Sequence, residues 1–181
     1  MTGTPGLRVI DAIFDPLIRE DLSKASDTAA ALIGALAQSW SVSPDGLTYT
    51  LKLREGVTFH DGTPFNAEAV QVNFSRVMDK ESPVFDSRAS GNMTFLTRWI
   101  EKTSVVDPNT IEIVLKEPFS GFPRLLTDRR ASIVSPAALE KHKGDELGFH
   151  PVGTGPFKLE VFQQNQQLNL ARNDAYWGKK P

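Results

Sequence analysis

The chain has 181 residues, 40% of them hydrophobic and 23% charged, so it can bury a core without disulfides or metals. Its 20 basic and 22 acidic residues are mixed throughout and leave a formal charge of −2, which gives no basic patch for nucleic acid or an anionic membrane. Cysteine is absent, which excludes disulfides, thiolate metal sites and cysteine nucleophiles, and no apolar run is long enough to cross a bilayer.

The N-terminal stretch MTGTPGLRVIDAIFDPLI lacks a basic region followed by an apolar one and is not a signal peptide. Apolar residues between Leu7 and Phe14 predict a short helix, which Asp15-Pro16 breaks by pushing the residue before proline out of the α region. Leu17 to Arg19 reads as a short strand, residues 23–31 as a polar loop, and Leu32 to Trp40 as the next strand. Ser43-Pro44-Asp45-Gly46 is a turn, followed by a half-buried strand in which Tyr49, Leu51 and Leu53 alternate with polar residues. Glu55-Gly56 turns the chain, Val57 to His60 is expected to be a second short strand, and Asp61-Gly62-Thr63-Pro64 another turn. Asn66 is a suitable N-cap for a helix that runs to about Lys80 with Val70, Phe74 and Val77 on one face.

Residues 81–95 are rich in Ser, Gly, Asn and Asp without periodicity and read as a loop. Ile100–Val106 and Thr110–Leu115 flank Asp107-Pro108-Asn109 as a hairpin. A short helix is expected over Phe119–Thr127 with Phe122, Leu125 and Leu126 inward, then a brief strand at Ile133-Val134. Pro136 opens a helix capped by Ser135. Phe157, Leu159 and Val161, then Leu168 and Leu170, alternate about a turn containing Asn165.

Few residues invite chemistry. His60 and Asp61 could form a base and its orienting carboxylate, as a hydrolytic enzyme would need. Neighbours on a strand point to opposite faces, however, and no nucleophile elbow accompanies them. Asp61 serving the turn, with His60 packed nearby, is the reading the geometry favours, and no catalytic residue is assigned. The three histidines, His60, His142 and His150, lie on no common helix at metal-ligand spacing, so no metal site and no cofactor are expected. Gly153-Thr154-Gly155-Pro156 leads into a strand rather than a helix, which suits a tight chain crossing and not a phosphate loop. Arg129 and Arg130 sit at a connection where a guanidinium could grip a carboxylate, although most loop arginines face water. Trp40, Trp99 and Trp177 could stack on a ligand but more often serve a core.

Taken together, five stretches are more specific than any one alone. LAQSWSVSPDGLTYTLKLREGVTFHDGTPFNAEAV, VDPNTIEIVLKEP, IVSPAALEKH, PVGTGPFKL and LARNDAYWGKKP occur in that order. They resemble extracytoplasmic solute-binding proteins of family 5, which serve ABC importers of peptides and nickel. The resemblance covers nearly the whole chain from Phe14 onward. It implies a mixed α/β chain, part of a type II periplasmic-binding-protein fold, with ligand held between lobes. On that basis residues 1–40 belong to the first main lobe, 41–152 to the small extra lobe of these large binders, and 153–181 return to the first main lobe. The second main lobe is absent, so the chain reads as an N-terminal fragment that binds its solute weakly.

The implied function is the solute-binding component of an ABC importer. It would take a small peptide or peptide-like solute and deliver it to a membrane permease, from the periplasm or from a membrane anchor outside the cytoplasm. A nickel or metal-chelate binder, or a receptor serving a sensor, would share the motifs. By the same resemblance Arg129 or Arg130, in LTDRRASIVSP, is the ligand-binding candidate. No residue of the three histidines inherits the nickel members' ligating role.

Overall fold

The computed structural model describes residues 4–23, 29–164 and 166–180. The first helix, α1 (Thr4–Ile13), ends where Asp15-Pro16 stops it. A two-stranded antiparallel ribbon follows, β1 (Ile18–Glu20) with β2 (Leu32–Gly34). The expected loop at 23–31 falls largely outside the described residues, as does Asn165.

A single strand over Leu32–Trp40 does not form. The chain bends at Ala35-Leu36 and leaves the ribbon to enter a second sheet as β3 (Ala37–Val42). Gly34 permits the bend, since a Cβ there would sit 2.5 Å from the Ala37 carbonyl oxygen and 2.6 Å from that of Gln38. The second sheet adds β4 (Thr48–Leu53), β5 (Ile100–Asp107) and β6 (Thr110–Leu115) in the antiparallel order β3-β4-β6-β5. Tyr49, Leu51 and Leu53 of β4 and Ile111, Ile113 and Leu115 of β6 are all buried. Their register, Tyr49 opposite Ile113 and Leu51 opposite Ile111, places them on one face of the sheet.

Against that face lies α2 (Ala67–Met78), packed across β5 and β6. Asn66 caps it, its side-chain oxygen accepting from the Ala69 amide at 2.9 Å, and Glu68 occupies the first turn, where a carboxylate suits the helix dipole. Val70, Phe74 and Val77 are buried as their spacing requires. Each such side chain contributes about 1.5–3 kcal/mol by leaving water.

Val57–His60 is not a strand; it makes one isolated bridge, Thr58 to Pro64, because the turn that follows returns the chain after six residues. The stretch 81–95 is not a loop throughout. It forms α3 (Ser87–Asn92) and α4 (Thr94–Thr97), the former started by Asp86, which accepts from the Arg88 and Ala89 amides and pairs with Arg76 at 3.0 Å. The helix predicted for 119–127 contracts to α5 (Phe122–Leu125), with Phe122 and Leu126 buried and Leu125 only half-buried. Ile133-Val134 pairs with no strand. The Ile133 amide donates to the Asp15 carbonyl, and Val134 exchanges hydrogen bonds with the Asn73 side chain. The predicted helix at Pro136 is α6 (Pro136–Lys141), capped by Ser135. A 3₁₀ helix over Gly144–Phe149 and the hairpin β7 (Phe157–Gln163) with β8 (Gln167–Arg172) complete the chain.

Candidate functional site

Gly153-Thr154-Gly155 crosses close against the end of α1. A Cβ on Gly153 would lie 2.2 Å from the Ile13 carbonyl oxygen, and one on Gly155 would lie 2.5 Å from that of Ala12. The Gly155 amide donates to the Ile13 carbonyl at 2.8 Å. The crossing that the sequence suggested is therefore a close approach of two backbones, and no helix stands behind it to bind phosphate.

His60 is anchored to this crossing. Its amide donates to the Gly153 carbonyl and its Nε2 donates to the Gly155 carbonyl, both at 2.9 Å. That fixes the proton on Nε2, and burial pushes the imidazole pKa down. Nδ1 is buried without a hydrogen-bond partner. Asp61 faces elsewhere. One oxygen accepts from the Thr63 amide at 3.0 Å and its hydroxyl at 2.6 Å, and the other accepts from the Ser135 hydroxyl at 2.5 Å. Burial raises its pKa, but these bonds outweigh burial and hold it below the usual carboxylate value. No hydrogen bond joins His60 to Asp61 among the described residues; each is held by other partners. Asp61 closes its own turn and ties that turn to the cap of α6.

A second junction escaped the sequence. Asp15, 6% exposed, accepts from the Thr154 hydroxyl and Trp177 Nε1 at 2.9 Å each, and from the Tyr176 hydroxyl at 3.3 Å. Burial pushes its carboxyl above the ordinary value, against the pull of these hydrogen bonds and of Arg19. Desolvation likewise raises Tyr176 to about 12. Trp177 carries the Arg54 guanidinium 4.5 Å above its ring, while Trp99 stacks on Phe119 at 4.3 Å. Trp40 packs against the core, so all three tryptophans are used internally.

Arg129 and Arg130 share a single 3₁₀ turn, Arg129–Ala131, capped by Asp128. Arg130 is committed: Nε and one terminal nitrogen donate to the two Asp128 oxygens at 2.9 and 2.8 Å, and its guanidinium lies 4.1 Å over the Phe95 ring. Arg129, about as exposed, is ion-paired with Asp11 at 3.4 Å. Two concavities of about 30 and 520 Å³ are lined by other residues, the first by Arg76, Asp86 and His142, the second by Met78, Arg98 and Lys116. Of the histidines, His142 and His150 come together with Glu146, a grouping that the spacing His-x₃-Glu-x₃-His signalled and the sequence reading passed over.

Residues 31–181 match the family described as bacterial extracellular solute-binding proteins, family 5 middle. The glutathione-binding protein GsiB of Escherichia coli O1:K1 / APEC is 44% identical over 151 residues, covering 83% of this chain and 28% of that protein. Among solved structures, the periplasmic binding protein DppA of Helicobacter pylori, in complex with the peptide STSA, superposes with a TM-score of 0.84. Its identity is 31%, over 99% of this chain and 37% of that one. NikA of Brucella suis, in complex with Fe(III)-EDTA, gives a TM-score of 0.78 at 29% identity, over 96% of this chain and 32% of that one. The chain thus spans little more than a quarter of the curated relatives it matches. Its mixed helix-and-sheet fold is that of the corresponding part of periplasmic binding proteins, and the chain belongs to the bacterial extracellular solute-binding proteins of family 5.

Proposed function

We propose that the chain forms part of the solute-binding component of an ABC importer, taking a peptide or peptide-like solute and handing it to a membrane permease outside the cytoplasm. The observation that carries this reading is the match of residues 31–181 to the family, with a glutathione binder and a peptide-bound protein among the relatives. Among the described residues no helix is long and apolar enough to cross a membrane. Catalysis by His60 and Asp61 has no support in their geometry, since each is spent on separate backbone and turn contacts.

The same division of labour extends to the lobes. Residues 41–152 supply the small lobe, and 1–40 with 153–181 the first main lobe; Asp15 bonded to Thr154, Tyr176 and Trp177 ties those flanks together. Of the two arginines, Arg129 is the ligand-binding residue and Arg130 a structural one, because Asp128 already neutralises Arg130 in a two-point pair. A metal–chelate solute is the second reading; the likeness to the chelate-bound NikA favours it, and an arginine suits the carboxylates of a chelate as well as those of a peptide.

The test places residues 31–181 in the Escherichia coli glutathione-binding protein, in exchange for the 151 residues they match. Peptide binding is then measured by calorimetry. Arg129→Ala is expected to weaken binding of a carboxylate-bearing peptide by roughly tenfold to a hundredfold, the worth of a charge-assisted pair, and Arg130→Ala to lower the melting temperature more than the affinity. Equal affinity in the parent chimera and Arg129→Ala removes the assignment.

A further inference from the structure

His142, Glu146 and His150 each offer one ligand atom, and these atoms lie within 4.8 Å of one another. The grouping arises from local structure. His142 terminates α6, Glu146 sits in the 3₁₀ turn that follows, and His150 ends that turn. The helix and turn thereby bring residues spaced four apart onto one side. The His142 Nδ1 to Glu146 oxygen distance is 3.1 Å, and the two imidazoles stack with centroids 4.2 Å apart and planes 18° from parallel. Stacked rings set their nitrogens side by side, with the carboxylate beside them.

The surrounding charges leave this trio to itself. Lys143 reaches away to the Pro83 carbonyl at 3.2 Å, and Arg88 is paired with Asp145. The Glu146 carboxylate bonds to His142 alone among the described residues. Two imidazoles and one carboxylate form a donor set suited to Zn²⁺ and its neighbours in the first transition row. Ligand atoms around tetrahedral Zn²⁺ stand about 3.4 Å apart, given bonds of about 2.1 Å. The His142–Glu146 separation of 3.1 Å is close to that, and the His150 ligand atom lies within 4.8 Å of both.

We infer that His142, Glu146 and His150 form a surface site for a divalent first-row transition metal, with Zn²⁺ as the representative ion. The site is separate from solute binding, because it uses neither Arg129 nor any residue of the Asp15 and His60 junctions. Three protein ligands leave one position of a tetrahedral ion for water or an outside donor.

The experiment titrates the 181-residue chain with Zn²⁺ against a chromophoric chelator, and follows the histidine ring signals by NMR. One equivalent is expected to bind, shifting His142 and His150 but not His60. His150→Ala and Glu146→Gln, both at exposed positions where folding is not at stake, are each expected to weaken it at least roughly tenfold. Absence of binding by the parent, unchanged affinity in either variant, or a zinc-induced shift of His60 in place of His150 overturns the site.

Discussion

Asp15 and His60 show how two buried polar side chains are employed in holding the chain together. Removing Asp15 leaves the hydroxyl of Thr154, 1% exposed, and the donors of Tyr176 and Trp177 without their acceptor. Asp15→Ala is therefore expected to cost about 2–3 kcal/mol in urea unfolding at neutral pH, even though it also relieves a buried charge. An unchanged midpoint would show that the junction carries no stability. His60 titrates in the opposite sense to a paired cation. Its folded pKa lies below the unfolded value of about 6.5, so its contribution is present above that pH and is lost as the pH falls through the folded pKa. His60→Gln keeps a donor for the Gly155 carbonyl but cannot titrate. The variant should lose less stability than the parent between about pH 7 and about pH 5, and parallel losses would contradict this. Asp61 was legible in the sequence because its partners in the turn are two residues away. The role of Asp15 was not, because its three partners lie 139 to 162 residues further along the chain.

Among the elements, those with a strong local signal formed where the sequence places them. The capped helix α2, the β5–β6 and β7–β8 hairpins and the alternating strand β4 each carry their own periodicity or turn residues. The failures share a physical origin. The split between β2 and β3 depends on backbone contacts at Gly34 that periodicity does not report, and α3 buries no residue, so it leaves no apolar pattern to read. The Val57–His60 and Ile133-Val134 stretches have strand-like composition, but their backbone groups bond to turns and side chains instead of to a neighbouring strand. Crossing points are the most sensitive elements. Gly155→Ala would force a Cβ to within 2.7 Å of the Ile13 carbonyl oxygen and is expected to cost about 1–3 kcal/mol, whereas Gly91→Ala in α3, where a Cβ meets nothing, should be neutral or mildly stabilising. Thermal melts of the two variants check this, and equal melting temperatures would refute the close-approach account.

For the whole molecule, the family was legible because five motifs stand in order, while the solute was not, because a cleft takes contacts from both of its walls. Arg129, the residue proposed above to contribute to such a wall, is ion-paired with Asp11 at 3.4 Å. Closure about a hinge concentrates binding energy between two lobes, and one wall keeps the ordering costs while losing the contacts. The most direct measurement is a single calorimetric comparison, in which one panel of small peptides, glutathione included, is titrated into the isolated chain and into the chimera carrying residues 31–181. The account predicts binding by the chimera and affinity weaker than micromolar by the isolated chain. Micromolar or tighter binding by the isolated chain, or a folded chimera that binds no peptide of the panel, would contradict it.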